Sequence, residues 1–331
     1  MKIGLLGCGR AAEIHMAAFN HLDASVVAAY DIDSERAAEF SQRHNIPRVS
    51  TNYMDLLETK GLDLVDICTP PSTHTSFAAA AAEAGLDILL EKPMALTTSE
   101  CDEIIHRTAK HGVKICVCHN QIFFPSINRA RSLVLSGEYD LTSFRTSVKE
   151  NPRMIGAPAW NLSSDEKGMI WDSGCHHAYL HLNFLREITE VYAVGSTVNH
   201  PVIDNYAVLL RTSGKTCGIM EMSWLSKVVE AEYEISSSDG RRLIIDRHHD
   251  LVTELPESSH SSSFSEFKNL LNLIPKGLGY CIGHYFLIRE YFKSVKKDES
   301  PPVDPAEGKN AIRLLESIDE SLKTGRPVKF H

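Results

Sequence analysis

Three absences narrow the classes this chain can belong to. No apolar run reaches the roughly 18–20 residues that a membrane-spanning helix needs, so no membrane partner is expected. There is no surplus of positive charge: 34 Lys and Arg stand against 43 Asp and Glu, a formal net charge of −9. A nucleic-acid partner, which wants a basic patch, is therefore not expected either. No two of the eight cysteines form a C-x-x-C. Cys116 and Cys118 share one face of one strand and are expected as buried thiols rather than as a metal or redox pair. No apolar signal stretch precedes the first strand, and the expected location is cytoplasmic. No internal repeat is present.

What is present is the length and composition of a soluble protein of about two domains: 331 residues, 43% hydrophobic and 23% charged. The first third alternates apolar strands with helices: strand Lys2–Leu6, helix Ala11–Leu22, strand Ser25–Tyr30, a helix from Ser34 that ends before Pro47, strand Leu62–Cys68, a helix through Phe77–Ala82 stopped by Gly85, strand Ile88–Leu90, a helix capped by Thr97 and Glu100 that stops at Gly112, and strand Val113–Cys118. Such alternation predicts a parallel sheet covered on both faces. The pattern changes after about residue 120. A helix Pro125–Ser136, a strand Thr142–Val148, a loop over 149–168 and a helix over roughly 170–185 precede six strands in succession, at about 191–197, 206–211, 217–223, 232–237, 242–246 and 251–254. Turns at Ser213-Gly214 and Asp239-Gly240 predict an antiparallel sheet there. Residues 257–264 are Ser-rich and read as a mobile stretch. Two helices end the chain, the last opening with the cap and first-turn proline Asp304-Pro305. The fold class expected is α/β, a Rossmann domain over 1–120, followed by an α+β domain over 121–331 with a large, mostly antiparallel open sheet. The last helix, about 305–324, is placed to return to the first domain.

Gly7-Cys8-Gly9-Arg10-Ala11-Ala12 is a G-x-G-x-x-A where the first strand meets the first helix. Gly7 permits the tight turn, Gly9 leaves the backbone open to a pyrophosphate, and Ala12 lets helix and strand approach. The anion then sits on the helix N-terminus. Asp31, at the end of the second strand, is the acid that fingerprint requires for the ribose hydroxyls. Its charge opposes a 2′-phosphate, which favours NAD over NADP; the other reading is a solvated loop acid. Thr69-Pro70-Pro71-Ser72-Thr73-His74 follows a buried strand at its C-terminal end, where such sheets bind ligands. His74 there either faces the cofactor or sits on the surface.

Glu91-Lys92-Pro93 closes the strand Ile88–Leu90 and opens onto the same crevice. The proline fixes the turn, cis or otherwise unusual, and can aim Lys92 into the site. Asp172 and His176, four apart, lie on one face if their segment is helical. A His beside an Asp, with a Lys nearby, suits alcohol oxidation. His176 and Lys92 serve as acid/base and alkoxide stabiliser and Asp172 as orienter. The plain alternative is a contact on a helix surface. His177 and His181 are also four apart but have no third ligand at convincing spacing, so no metal is expected. His248-His249 read as solvated.

Together these residues resemble the glucose-fructose oxidoreductase / inositol dehydrogenase / rhizopine catabolism family, Gfo/Idh/MocA. The resemblance covers essentially the whole chain. It rests on the glycine motif, Thr69-Pro70 with His74, Glu91-Lys92-Pro93, Asp172-x-Gly174-x-His176, and the ending Ser321-x-x-x-Gly325-Arg326-Pro327-Val328. It implies NAD(P)-dependent oxidation or reduction of a sugar, polyol or sugar-nucleotide hydroxyl, with Lys92, Asp172 and His176 around that hydroxyl. It also implies a homodimer or homotetramer formed through the second-domain sheet. The chain departs from many members at Glu166-Lys167-Gly168, at Trp160-Asn161 and at Tyr179, all on the expected substrate side. Asn120 and Arg153 are further site candidates, with Trp160 on the substrate side; Arg153 reads equally as a surface charge. Two other functions fit the same residues. One is an NAD-dependent glycosidase working by transient oxidation and elimination. The other is a non-catalytic NAD-binding regulator.

Overall fold

The computed structural model describes residues 1–157, 159–247, 250–255 and 281–331. The Ser-rich stretch 257–264 and His248-His249 lie outside them. The chain groups into two compact units, each treated by itself: residues 1–120 with the described residues 281–309, and residues from 121 onward with 310–331.

The first unit is built on six parallel strands, β1 (Lys2–Leu6), β2 (Ser25–Tyr30), β3 (Arg48–Ser50), β4 (Leu64–Ile67), β5 (Asp87–Leu90) and β6 (Ile115–Val117), in the order β3-β2-β1-β4-β5-β6. That is the doubly wound order whose direction reverses between β1 and β4. The helices between them are α1 (Arg10–Phe19), α2 (Ser34–His44), α3 (Tyr53–Leu57), α4 (His74–Glu83) and α5 (Thr98–His111). The strands read as near-continuous apolar runs because helices cover both faces: Ile3, Leu5, Leu6, Val65, Ile67, Leu89 and Leu90 are fully buried. Asp66 interrupts one of those runs and is itself fully buried. The caps are those the sequence predicts. Thr97 Oγ1 accepts from the Glu100 N–H at 3.2 Å, the Glu100 carboxylate accepts from Leu96 N–H at 3.0 Å, and Gly112 ends α5 at φ +67°. Strand β3 and helix α3 were not anticipated. Each is too short, at three and five residues, to show a periodic apolar face.

The second unit holds α6 (Pro125–Leu135), β7 (Leu141–Lys149), α7 (Gly168–Trp171), α8 (Ser173–Phe184) and strands β8 (Ile188–Ser196), β9 (Asn205–Thr212), β10 (Cys217–Ser223), β11 (Glu230–Ser237), β12 (Arg242–Asp246), β13 (Leu251–Leu255) and β14 (Val328–Lys329). Among the described residues these form an eight-stranded sheet, ordered β13-β12-β11-β7-β10-β9-β8-β14. All its pairings are antiparallel except β7 with β10, because the first strand made is inserted between the fourth and the fifth. Two further helices follow in sequence, α9 (Ile282–Lys297), within the first unit, and α10 (Pro305–Thr324), whose residues up to 309 group with the first unit and whose remainder groups with the second. Asp304 caps the start of α10, as expected, in a reciprocal box: Glu307 N–H donates to Asp304 Oδ1 and Asp304 N–H to Glu307 Oε2.

Helix α8 lies on β7 and β10, where Gly218 leaves room: a Cβ there would come within 2.6 Å of Leu185 and 2.8 Å of His181. His181 is fully buried, its ring 4.6 Å from that of Phe144, and its Nδ1 donates to the His177 carbonyl at 2.9 Å. The pair His177 and His181 is thus core packing. Burial pushes the His181 imidazole down to about 4, against the pull of that carbonyl. Its folded value lies below the ordinary 6.5, so the unfolded chain binds the extra proton first. The stability it supports is complete above pH 6.5 and drains away as pH falls toward 4, by linkage about 3 kcal/mol in all. Urea unfolding measured from pH 7 downward should therefore show a shallower loss of stability in His181→Gln than in the parent. Equal slopes would refute the assignment.

Candidate active site

In the first unit the site begins where β1 runs into α1. Gly7 has φ +91°, and a Cβ on it would lie 2.6 Å from the Cys68 carbonyl oxygen. Only glycine passes through that turn. Gly9 differs. Its φ of −91° suits any residue, and beyond its chain neighbours no protein atom lies within 4 Å of where its Cβ would be. The protein itself does not need a glycine there; a ligand approaching the backbone does. Helix α1 has no side-chain cap, so its first N–H groups, next to the exposed Arg10 and half-buried Ala11, are available to an anion. Ala12 is fully buried, as close packing of helix on strand requires. These residues fit a dinucleotide pyrophosphate.

Asp31 is not a solvated loop acid. It is 8% exposed, and its Oδ2 accepts from the Cys8 N–H at 2.8 Å while Oδ1 accepts from the Asp33 N–H at 2.9 Å. The carboxylate therefore stitches the end of β2 to the glycine turn. The Cys8 thiol, buried beside that carboxylate, is pushed up to about 12, chiefly by burial, and stays protonated. Immediately after Asp31, Ile32 is 92% exposed.

Thr69 and Pro70 follow β4 and form a tight corner in which the Thr73 hydroxyl lies 2.7 Å from both the Thr69 hydroxyl and the Pro70 carbonyl. His74 does not sit on the surface. It is fully buried, with Nδ1 2.9 Å from the Pro93 carbonyl and Nε2 2.9 Å from the Thr69 carbonyl. It ties the loop after β4 to the turn after β5. That turn contains the cis peptide Lys92-Pro93.

Glu91 leads into that turn and is nearly buried. Its Oε1 accepts from His15 Nε2 at 2.9 Å, and its Oε2 from the Lys92 N–H at 3.1 Å. Burial alone would raise this carboxyl, but the His15 hydrogen bond and the charges of His15, His284 and Lys92 hold it down at about 2. His15 Nδ1 in turn donates to both oxygens of Asp66, at 3.0 and 2.9 Å. Burial disfavours the charged ring, yet Asp66 above all holds its pKa well above the ordinary value. An imidazolium bridging two carboxylates thus links α1, β4 and the end of β5. His119, just past β6, is buried and pushed down to about 3, by burial first and then by the Lys92 ammonium near it. Asn120 beside it is 4% exposed, with Nδ2 3.1 Å from His284 Nδ1.

In the second unit the segment around Asp172 is not one helix, which corrects the single stretch over 170–185. Helix α7 stops at Trp171, Asp172 sits at the break with ψ −80°, and α8 starts at Ser173. Asp172 Oδ2 accepts from Asn161 Nδ2 at 2.6 Å. His176 stands in the first turns of α8, half-buried. Gly174 between them is needed because a Cβ would collide with the hydroxyl of the buried Tyr206. Ser173 Oγ and Trp224 Nε1 both donate to Glu150 Oε1, at 2.5 and 3.0 Å, which holds the start of α8 to the end of β7. Trp160 is half-buried in the short 3-10 turn Ala159–Leu162, and Arg153 is exposed.

The structure thus gathers Gly7, Cys8, Gly9, Arg10, Ala11, Ala12, Asp31, Thr69, Pro70, Glu91, Lys92 and Asn120 at the carboxyl end of the parallel sheet, with His74 behind them. It joins Asp172 to Asn161 in the other unit. Sequence reasoning missed the His15–Asp66 bond, His119, and Asn161 as the partner of Asp172. A readable signal existed for the first of these: a lone acid, Asp66, inside an apolar strand must be answered by a buried partner.

Residues 1–119 match an oxidoreductase family with an NAD-binding Rossmann fold, and residues 127–242 match the GFO/IDH/MocA C-terminal domain. An uncharacterized oxidoreductase of Bacillus subtilis, YrbE, is 27% identical over 60% of this chain, and the match spans 58% of that relative's own length. The myo-inositol 2-dehydrogenase of Thermotoga maritima is 23% identical over 100% of this chain and 98% of its own. Among solved structures, levoglucosan dehydrogenase in complex with NADH and levoglucosan superposes with a TM-score of 0.87 at 20% identity, covering 99% of each chain, which is a likeness of fold. With both halves of the chain matched, the protein belongs to the GFO/IDH/MocA family of NAD-binding oxidoreductases.

Proposed function

We propose that this protein is an NAD-dependent dehydrogenase acting on a CH–OH group of a sugar, polyol or sugar nucleotide. One observation carries the reading. Lys92 is set on a turn held by Glu91 and His74, at the same sheet end as a glycine crook left open at Gly9. NAD, when bound, supplies the hydride acceptor. Gly7 through Ala12 receive its pyrophosphate, Asp31 its adenosine ribose, and the exposed Ile32 offers an apolar surface to the adenine. Thr69, Pro70 and Asn120 line the remainder of that cofactor site.

Lys92 and His176 share the proton work at the substrate hydroxyl. His176 takes the proton as hydride leaves, and the Lys92 ammonium stabilises the developing alkoxide or returns the proton in the reverse direction. Asp172, held by Asn161, orients His176. Trp160 and Arg153 belong with the substrate side, and Asn120 serves both ligands. His74 acts as a positioning residue, since its nitrogens hold backbone carbonyls.

Among the described residues no helix is long and apolar enough to cross a membrane. No disulfide joins the eight cysteines, all of which are described. That favours a reducing compartment, and we place the protein in the cytoplasm. The outer face of the second sheet exposes Val194 and Leu209, 52% and 57% accessible, on adjacent strands. Such a face supports assembly as a homodimer or homotetramer.

Turnover followed at the NADH absorbance band, over a panel of inositols, aldoses and nucleotide sugars, tests the reaction. Lys92→Ala and His176→Ala should each lower kcat by roughly 10²–10⁴-fold while still binding NAD; turnover undiminished in both would remove the assignment. For the cofactor, Gly9→Val should leave thermal stability near that of the parent and abolish NAD binding by calorimetry. Asp31→Ala should relax the preference toward NADP and, by losing the Cys8 N–H acceptor, lower the melting temperature as well. A Gly9→Val protein that binds NAD normally would contradict the proposed cradle. For the assembly, the double substitution Val194→Lys, Leu209→Lys should shift the light-scattering mass to that of one chain; an unchanged oligomer would place the interface elsewhere.

A further inference from the structure

One buried cluster in the first unit is richer in ligating atoms than a hydrogen-bond network requires. His15 on α1, Glu91 after β5, Cys118 after β6 and His284 on α9 each offer one ligand atom, and all four atoms lie within 4.8 Å of one another. Three of these separations are short. His15 Nε2 is 2.9 Å from Glu91 Oε1, Cys118 Sγ is 3.6 Å from His15 Nε2, and His284 Nε2 is 3.8 Å from Glu91 Oε1. A tetrahedral zinc with bonds of about 2.0–2.3 Å places its ligand atoms roughly 3.3–3.8 Å apart. Two of the three edges already match, and the third opens by a few tenths of an ångström when the His15–Glu91 hydrogen bond gives way to the metal.

We propose that His15, Glu91, Cys118 and His284 form a structural zinc site that pins α9 to the carboxyl end of the parallel sheet. The donor set, two imidazoles, a thiolate and a carboxylate, is the mixed N/S/O set that zinc accepts. Four protein ligands leave no open position, which marks the site as structural. Its outer shell is built as well. His15 Nδ1 donates to both oxygens of the buried Asp66, so the ring is fixed with Nε2 facing the cluster. His284 Nδ1 lies 3.1 Å from the Asn120 amide, whose Oδ1 is buried with no hydrogen-bond partner among the described residues. Turning that amide over sets Oδ1 against an Nδ1–H and frees Nε2 as a ligand. The second grouping, His15 with Asp66 and Cys68, is the weaker candidate, because Asp66 already fills the approach to Nδ1. Binding displaces two protons, from Cys118 Sγ and His15 Nε2, onto solvent. His284, whose side chain is 13% accessible, is the point of entry.

The site was invisible to spacing rules because its ligands come from four elements far apart in the chain. Protein purified from zinc-supplemented cells and passed through a desalting column should carry about one zinc per chain by plasma mass spectrometry. Cobalt exchanged into the intact protein should give tetrahedral d–d bands and a thiolate-to-cobalt charge-transfer band. Cys118→Ser should remove the charge-transfer band, and Cys68→Ser should keep it. His284→Ala, at the partly open ligand where folding is least at risk, and Asp66→Asn, in the outer shell, should each weaken zinc binding by 10-fold or more against a competing chelator. Absence of zinc from the purified protein together with no zinc uptake on titration overturns the proposal. So does a cobalt spectrum that Cys118→Ser leaves unchanged.

Discussion

Two buried carboxylates need a positive charge between them, and the carboxyl end of the first unit's sheet is organised around supplying it. Asp66 lies within β4 and Glu91 just past β5, neighbouring strands whose faces are both covered by helices, so neither can be answered by water. His15 reaches both from α1, with one nitrogen for each. Removing one member of such a set leaves an uncompensated charge in a low dielectric, and the cost of that is several times the cost of losing a surface pair. The consequence for function is positional. Glu91 is fixed by His15, its second oxygen fixes the Lys92 N–H, and His74 fixes the Pro93 carbonyl. A flexible side chain thereby starts from a rigid backbone. The zinc proposed above satisfies the same requirement in another form, with the metal in place of the imidazolium proton.

The glycine turn obeys a similar economy. Asp31 accepts a hydrogen bond from the Cys8 N–H, so the residue proposed to recognise the ribose also holds the loop proposed to receive the pyrophosphate. Its two jobs are compatible because a carboxylate offers about four acceptor sites, and backbone donors occupy only some of them. A cofactor-preference change at this position therefore cannot be separated from a change in the turn itself.

The first unit was largely legible because local rules and burial agree there. Apolar strands, the Thr97–Glu100 box, Gly112 at φ +67° and the G-x-G-x-x-A crook all point to one fold. Legibility failed where contacts are long-range. Nothing near Asp66 in sequence announces His15, and nothing near His74 announces the Pro93 carbonyl. The break at Asp172 was hidden because Gly168 to Phe184 reads as one apolar-rich helix, while a helix and its N-terminal junction share the same composition. The place of β7 between β10 and β11 follows from packing order in the finished sheet, which strand spacing does not encode.

The Asp172-x-Gly174-x-His176 pattern shows how much a motif leaves unsaid. Gly174 is explained by the Tyr206 hydroxyl behind it, a packing demand. Asp172 is explained only in part by spacing, since at the break between helices it faces Asn161 rather than sharing a turn with His176 alone. An amide donor there gives a short hydrogen bond, 2.6 Å, without adding charge. The motif thus accounts for Gly174 by packing, while the partner of Asp172 comes from outside it.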